Sequence, residues 1–242
     1  MSYDEAAQVQ REVISALFGR LPVGQTAHSI LDVGCGTGQA LDALRQQHPD
    51  AQLLALDFSS EMLAQTGRRP AAATIHRLCA DAEAVPLASG CIDLYWSSLT
   101  LQWCHLPAAL AEAGRLLQPN GVLAFATLSE DTFHELRTAF AGLDTHPHTH
   151  RFLSPDAITA ATVDAGFRDI TLTRESRVAW YPDLRTLLRA VKAVGANEVG
   201  NRRRGMLGRH AWEALERRYE EFSRSGLLPA TYDVIYVTAR RP

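Results

Sequence analysis

The sequence predicts an α/β fold: a parallel sheet covered by helices on both faces. Two observations carry this. Short apolar segments alternate with helix-like segments from residue 30 to about 128, which is the pattern of consecutive βα units. The first apolar segment also runs straight into a glycine cluster, Gly34-Cys35-Gly36-Thr37-Gly38, the kind of turn that opens a ligand site at a strand's carboxyl end.

The elements follow in order. Ser29–Val33 reads as a first strand and Gln39–Gln47 as a helix stopped by Pro49. Gln52–Leu56 is a second strand, followed by a helix capped at Ser59 or Ser60, since a serine oxygen can accept a free N–H of the first turn. Thr74–Cys79 and Ile92–Ser97 are further strands, with a helix near Pro107–Leu117 and a strand at Gly121–Leu128. Glu130–Ala141 looks helical, and 142–151 reads as a histidine-rich loop. Ser154 caps a helix running to Ala165 and ended by Gly166. Arg168–Val178 alternates as a strand does. Pro182–Val194 and Arg209–Ser225 read as helices, and Tyr232–Ala239 as a final strand. A helical excursion before that strand predicts a cap over the carboxyl edge of the sheet. We expect one domain over 1–242, with cap or lid contributions from 1–20, 129–153 and 180–228.

Bulk properties narrow the function. The 242 residues carry a formal net charge of −3, which argues against a general nucleic-acid binder. No apolar run approaches the about 18 residues that span a bilayer. Cys35, Cys79, Cys91 and Cys104 form no CxxC pair, and Met1–Arg11 does not read as a signal peptide. We therefore expect reduced thiols in a cytoplasmic protein. The oligomeric state is not legible.

The chemistry concentrates at Leu31-Asp32-Val33-Gly34-Cys35-Gly36-Thr37-Gly38. Glycines let backbone approach a ligand, and the next helix offers its free N–H groups. Dinucleotide-binding folds use glycine loops too, but two details differ here. The spacing is GxGxG, and an acid, Asp32, precedes it. A carboxylate there repels a pyrophosphate but stabilises the ammonium of an amino-acid ligand. S-adenosylmethionine (SAM) has that ammonium, with a carboxylate for the backbone N–H groups. Asp57 ends the second strand, where it can accept ribose hydroxyls. Asp81, after the third strand, can accept an adenine amino group with the Ala82 N–H beside it. Phe58 and Met62 are placed to pack on the base. The alternative is that the three acids cap helices or turns, as aspartates often do.

These residues resemble the class I SAM-dependent methyltransferases over nearly the whole chain. The resemblance implies a Rossmann-like sheet of seven strands, mostly parallel, with the last strand (here Tyr232–Ala239) antiparallel. A narrower likeness lies in Ser97-Ser98-Leu99-Thr100-Leu101-Gln102-Trp103-Cys104 and in Tyr3-Asp4-Glu5-Ala6-Ala7-Gln8-Val9-Gln10. It extends to His150-Arg151-Phe152, Lys192-Ala193-Val194-Gly195-Ala196 and Leu228-Pro229-Ala230-Thr231-Tyr232. These are similar to the biotin-pathway malonyl-carrier-protein O-methyltransferases. Ser98 stands where that family has asparagine, and family members carry a longer basic and aromatic arm before the tyrosine.

The resemblance implies methylation of the free carboxylate of a malonyl group on the phosphopantetheine of acyl-carrier protein, with S-adenosylhomocysteine as the other product. It places Ser98 and Leu99 beside the cofactor. A carboxylate is already ionised at neutral pH, so no general base and no catalytic triad is expected, and positioning supplies the catalysis. Arg151 is our first choice to steer the substrate, with Tyr3 and Lys192 as further contacts. His146, His148 and His150 alternate, but no metal is expected. Arg202, Arg203 and Arg204, with Arg185 and Arg189, suit docking of an acidic carrier. Methylation of a free acid or a quinone precursor is the second reading, and a non-catalytic SAM-binding regulator the third.

Overall fold

A computed structural model describes residues 2–24, 26–69, 74–143, 150–193 and 208–242, without the side chains of 2–5 and 193. Its helices are α1 (Ser2–Phe18), α2 (Leu41–Gln47), α3 (Ser60–Thr66), α4 (Leu106–Leu116), α5 (His134–Phe140), α6 (Pro155–Asp164), α7 (Leu184–Ala193) and α8 (Arg209–Glu220). The strands are β1 (Ser29–Val33), β2 (Gln52–Asp57), β3 (Ile75–Cys79), β4 (Ile92–Ser98), β5 (Leu117–Leu128), β6 (Arg168–Tyr181) and β7 (Leu228–Arg240).

They form one seven-stranded sheet in the order β3-β2-β1-β4-β5-β7-β6. The pairs β1–β2, β1–β4, β2–β3 and β4–β5 are parallel. β7 runs the other way: Ser129 N–H donates to Asp233 O while Asn120 N–H donates to Arg241 O. The seven strands and the antiparallel last strand agree with the expectation from the resemblance. Sequence order reverses on either side of β1 and β4, which opens a crevice at the carboxyl ends of β1, β2, β3 and β4.

The chain divides into two compact units. The larger comprises Arg11–Leu128, Leu153–Arg174 and Ile235–Pro242. Its core is built by pattern. Leu106, Ala109, Leu110, Ala113 and Leu116 are buried, the one-face spacing of an amphipathic helix. They join Leu31, Val33, Tyr95, Leu123, Phe125 and Ile235 in one cluster. Val13 and Leu17 of α1 are fully buried, and Phe18 stacks on Trp96 at 4.2 Å. Polar clips fix the edges. Asp93 accepts hydrogen bonds from the backbone of His28 and Ser29 and from Gln118. Arg115 pairs with Glu112 at 2.6 Å and donates to the carbonyls of Val85 and Leu87.

The smaller unit comprises Met1–Gln10, Ser129–Phe152 and Glu175–Val234. Buried Asp233 accepts a 2.5 Å bond from Ser129 Oγ, and buried Glu135 accepts from the Thr231 hydroxyl and N–H. Among the described residues no helix is long and apolar enough to cross a membrane.

Some element boundaries differ from expectation. The helix expected from Glu130 begins at His134, because Phe133 adopts a left-handed φ of 57°. α8 stops at Glu220, well before Ser225. β7 starts at Leu228 rather than Tyr232. Proline reads as a strand breaker, yet Pro229 sits in β7, its carbonyl accepting from Tyr219 Oη at 2.8 Å. α1 carries no glycine or proline, and it lies where the sequence predicts a cap or lid contribution without a named element.

Candidate functional site

The site lies in the larger unit, at the carboxyl ends of β1 to β4. Strand register puts Val33 beside Leu56 and Asp57 beside Cys79, so the loops after β1, β2 and β3 leave one sheet edge together. Gly34, Gly36 and Gly38 all have positive φ, at 69°, 54° and 81°, a region that side chains rarely adopt. The three are kept small for different reasons. A Cβ on Gly34 would overlap the Thr100 side chain. One on Gly38 would come within 2.9 Å of Leu41 Cδ1 and 3.0 Å of Arg69 Nε. One on Gly36 would meet nothing within 4 Å, so that stretch of backbone is open to a ligand.

The loop is held from both sides. The N–H groups of Gly34 and Cys35 donate to Leu56 O at 2.8 and 2.9 Å. Gly36 N–H donates to Asp57 Oδ2 at 2.8 Å, and Asp57 Oδ1 accepts from Ser59 N–H at 2.8 Å. A carboxylate offers about four lone-pair sites, so Asp57 retains capacity for ribose hydroxyls. The loop's carbonyls are also tied down. Thr100 Oγ1 donates to Gly34 O at 3.1 Å, Thr66 Oγ1 to Gly36 O at 3.1 Å, and Arg69 Nε to Thr37 O at 2.6 Å. Arg69 also pairs with Asp42 at 2.6 Å.

Thr66, Thr100 and Arg69 were missed in reading the sequence. Thr100 lies inside the quoted Ser97–Cys104 segment, which was a usable signal. Thr66 and Arg69 reach the loop from the far end of α3, and no local pattern announces that.

Asp32 is the unusual charge. It is only 2% exposed, and its Oδ2 has no hydrogen-bond partner among the described residues. Burial first, and the nearby negative Asp57 second, push its pKa from 3.8 up to about 7, with Arg69 opposing. An orphaned buried carboxylate costs free energy, and an incoming ammonium offsets that cost. The site therefore suits the ammonium at the amino-acid end of SAM.

The remaining expected cofactor residues occupy the same edge. Phe58 follows Asp57 with its ring 81% exposed, and Met62 on α3 is also exposed. Ser59 caps α3 by accepting from Met62 N–H, as the sequence suggested. Asp81 accepts from Glu83 N–H at 2.9 Å, so it serves its own turn as well as facing solvent. Ala82 is buried beneath it. Ser98 ends β4, and Leu99 takes a left-handed φ of 55°. Leu99 N–H donates to Ala126 O, while Gln102 Nε2 donates to Leu99 O at 2.7 Å.

Neither Cys35 nor Cys104 is poised for attack. Burial pushes the Cys35 thiol far up, and burial with Glu83 and Asp81 pushes Cys104 up to about 11. All four cysteines are free.

The expected substrate residues belong to the smaller unit. Arg151 is exposed, next to buried Phe152, on whose ring His150 packs at 5.3 Å. Lys192 is exposed on α7. Tyr3 sits in the first turn of α1, where side chains are outside the described set. His146, His148 and Arg202–Arg204 also fall outside the described residues. Among the described residues no group of histidine, cysteine and carboxylate side chains could hold a metal.

The comparisons follow this geometry. A family model described as a methyltransferase domain matches residues 31–125, from β1 through β5. Among solved structures, a [4+2]-cyclase matches 97% of this chain and 82% of its own at a TM-score of 0.61 and 21% identity. The geranyl diphosphate C-methyltransferase of Streptomyces coelicolor A3(2) also gives 0.61, at 15% identity over 98% of this chain and 80% of its own. Those likenesses establish the fold alone, and one fold serves more than one chemistry. Sequence relatives go further. The malonyl-[acyl-carrier protein] O-methyltransferase of Laribacter hongkongensis is 42% identical over 253 residues, covering 100% of this chain and 85% of that protein. The enzyme of that name from Dechloromonas aromatica is 45% identical over 241 residues. With 99% of this chain and 90% of that protein aligned, the chain belongs to the malonyl-[acyl-carrier protein] O-methyltransferase family.

Proposed function

We propose that this chain is a cytoplasmic enzyme that uses SAM to methylate the free carboxylate of a malonyl thioester carried on acyl-carrier protein, a step toward biotin. The observation that carries the cofactor is Asp32: a buried, unpartnered carboxylate at the root of a glycine loop suits an ammonium and repels a pyrophosphate. The acceptor rests on the relatives' names over nearly the full length of this chain.

SAM, when bound, supplies an electrophilic methyl group on a sulfonium. The chain's residues then have three tasks. Asp32 holds the ammonium of the amino-acid end, beside the glycine loop. Asp57 holds the ribose, while Asp81, Ala82, Phe58 and Met62 surround the base. Ser98 and Leu99 wall the cleft near the reacting centre, with Leu99 fixed through Gln102.

No side chain needs to remove a proton, because the malonyl carboxylate is ionised at neutral pH. Alignment of the acceptor oxygen with the methyl can supply about 7–11 kcal/mol of barrier lowering. We assign Arg151 to steer the carboxylate, with Tyr3 and Lys192 as auxiliary contacts. The acceptor's charge vanishes as the ester forms, so a tight grip by Arg151 would stabilise the ground state more than the transition state. A shared, partly hydrated contact suits the reaction better and lets the neutral ester leave. Exposed Arg151 is compatible with that role.

Mass spectrometry of malonyl-carrier protein incubated with SAM tests the proposal. One added methyl group, removed by an esterase, is the expected result. Tight SAM binding without turnover on that substrate would refute it.

A further inference from the structure

We propose that the exposed face of α7 is a docking surface for an acidic helix of the carrier protein; this rests on the carrier-bound acceptor proposed above. α7 has two unlike faces. Leu184, Leu187, Ala190 and Val191 are buried, whereas Arg185, Arg189 and Lys192 are exposed. Positions i, i+4 and i+7 fall within an arc of about 60° at 3.6 residues per turn, so the cations form one stripe about 10 Å long.

The stripe is not a reflection of composition. The chain has a net charge of −3, yet the segment LRTLLRAVKA holds three cations and no acid. Like charges at that spacing repel and weaken a helix slightly. None of the three forms a close ion pair with a described residue; the carboxyl of Asp183 is held below the usual range by the Thr186 N–H and hydroxyl first, and by the charge of Arg189 in smaller part. The acid at the start of the helix is already engaged: Asp183 accepts from Thr186 N–H at 2.8 Å and from its hydroxyl at 2.9 Å. Arg185 is steadied over the Trp212 ring of α8, 5.4 Å from its centroid. Arg189 Nε donates to Arg185 O at 3.3 Å, which keeps the two side chains along one line.

Arg185 and Arg189 match a partner helix with acids at i and i+3 or i+4, while Lys192, at the end of the stripe, is left to the substrate contact assigned above. A straight, short row of charges without exposed apolar residues between them fits a helix better than a bilayer, which takes an apolar face as well. Contacts of this kind govern encounter with the carrier more than the chemical step.

The test uses the full chain with Arg185→Glu and Arg189→Glu together. Steady-state kinetics are measured on malonyl-carrier protein and on malonyl-pantetheine, which has the reacting group without the protein. The variant should raise KM for the carrier substrate about tenfold or more at low salt, with kcat and the malonyl-pantetheine kinetics within about twofold of wild type. Raising salt should raise the wild-type KM for the carrier substrate toward that of the variant, because exposed charges are screened over about 8 Å at physiological ionic strength. An unchanged carrier KM in a variant that turns over malonyl-pantetheine normally overturns the docking face. So does an equal rise for both substrates. Loss of binding to vesicles of anionic phospholipid, with the carrier KM unchanged, would reassign the face to a membrane and overturn it too. Absence of wild-type turnover on both thioesters is a different failure, because it removes the proposed reaction itself.

Discussion

Replacing Asp32 with asparagine should separate what the carboxylate costs the empty protein from what it gives the bound one. The pKa of Asp32 rises from 3.8 to about 7 on folding, first from burial and then from Asp57. At about 1.36 kcal/mol per unit, that corresponds to on the order of 4 kcal/mol. The sign is the reverse of the common one for an acid. The folded chain binds its proton more tightly than the unfolded chain, so ligand-free stability falls as pH rises from about 4 to about 7. Above that range the full cost is present. Asparagine cannot ionise and escapes it, though its buried amide carries a cost of about 1–3 kcal/mol if unsatisfied. The clean quantity is therefore a difference of differences. Between pH 5 and pH 8 the stability of Asp32→Asn relative to wild type should rise by a few kcal/mol, read from urea unfolding of ligand-free protein. Calorimetry on the same samples should show the opposite for SAM, with affinity at pH 8 reduced by roughly 30-fold to 1,000-fold, the loss of a buried charge pair worth about 2–4 kcal/mol. Wild-type affinity should itself fall about tenfold from pH 8 to pH 6, as the ionised fraction of Asp32 drops. A variant whose relative stability is flat with pH, or one that keeps wild-type SAM affinity, would show that Asp32 neither carries this charge nor meets the ammonium.

Further outcomes are expected elsewhere in the molecule. Gly34→Ala should abolish SAM binding in calorimetry and lower the melting temperature, since its Cβ overlaps Thr100 at a φ of 69°. Arg69→Ala should weaken SAM binding by about three- to tenfold while leaving the melting temperature nearly unchanged, because Arg69 fastens Thr37 O from a partly exposed position. Arg115→Ala should destabilise the fold by about 1–2 kcal/mol in urea unfolding with KM for SAM unaffected, as it removes the Glu112 pair and a donor to each of the carbonyls of Val85 and Leu87. Arg151→Gln should raise KM for malonyl-carrier protein more than it lowers kcat, as expected of a ground-state contact.

Much of the larger unit was legible because its signals are local. The β1 bounds, the Ser154 cap, the choice of Ser59 or Ser60 as the α3 cap and the existence of α4 all follow from neighbours within one or two turns of chain. Glycines at Gly34, Gly36 and Gly38 announced a loop, and Asp32 at the end of an apolar strand announced its charge. What escaped depends on partners far along the chain. Thr66 and Arg69 matter because α3 folds back onto the glycine loop, some 30 residues away. Pro229 is accommodated in β7 through contacts that begin at Tyr219. The late start of α5 follows from Ser129 and Thr132 bonding to Asp233, more than 100 residues distant. Propensity has no access to such pairings, and tertiary bonds outweigh it where they disagree.

The open space beside Gly36 has a use of its own. A methyl group added there meets no atom of the described residues within 4 Å, so the alanine form bears little beyond a left-handed backbone penalty of about 1 kcal/mol. Whatever normally lies against that backbone would feel the intrusion far more. Gly36→Ala thus offers a folded, blind twin of the enzyme: a matched blank against which occupancy, crystallisation and cellular complementation can each be read without confusing an empty cleft with a broken molecule.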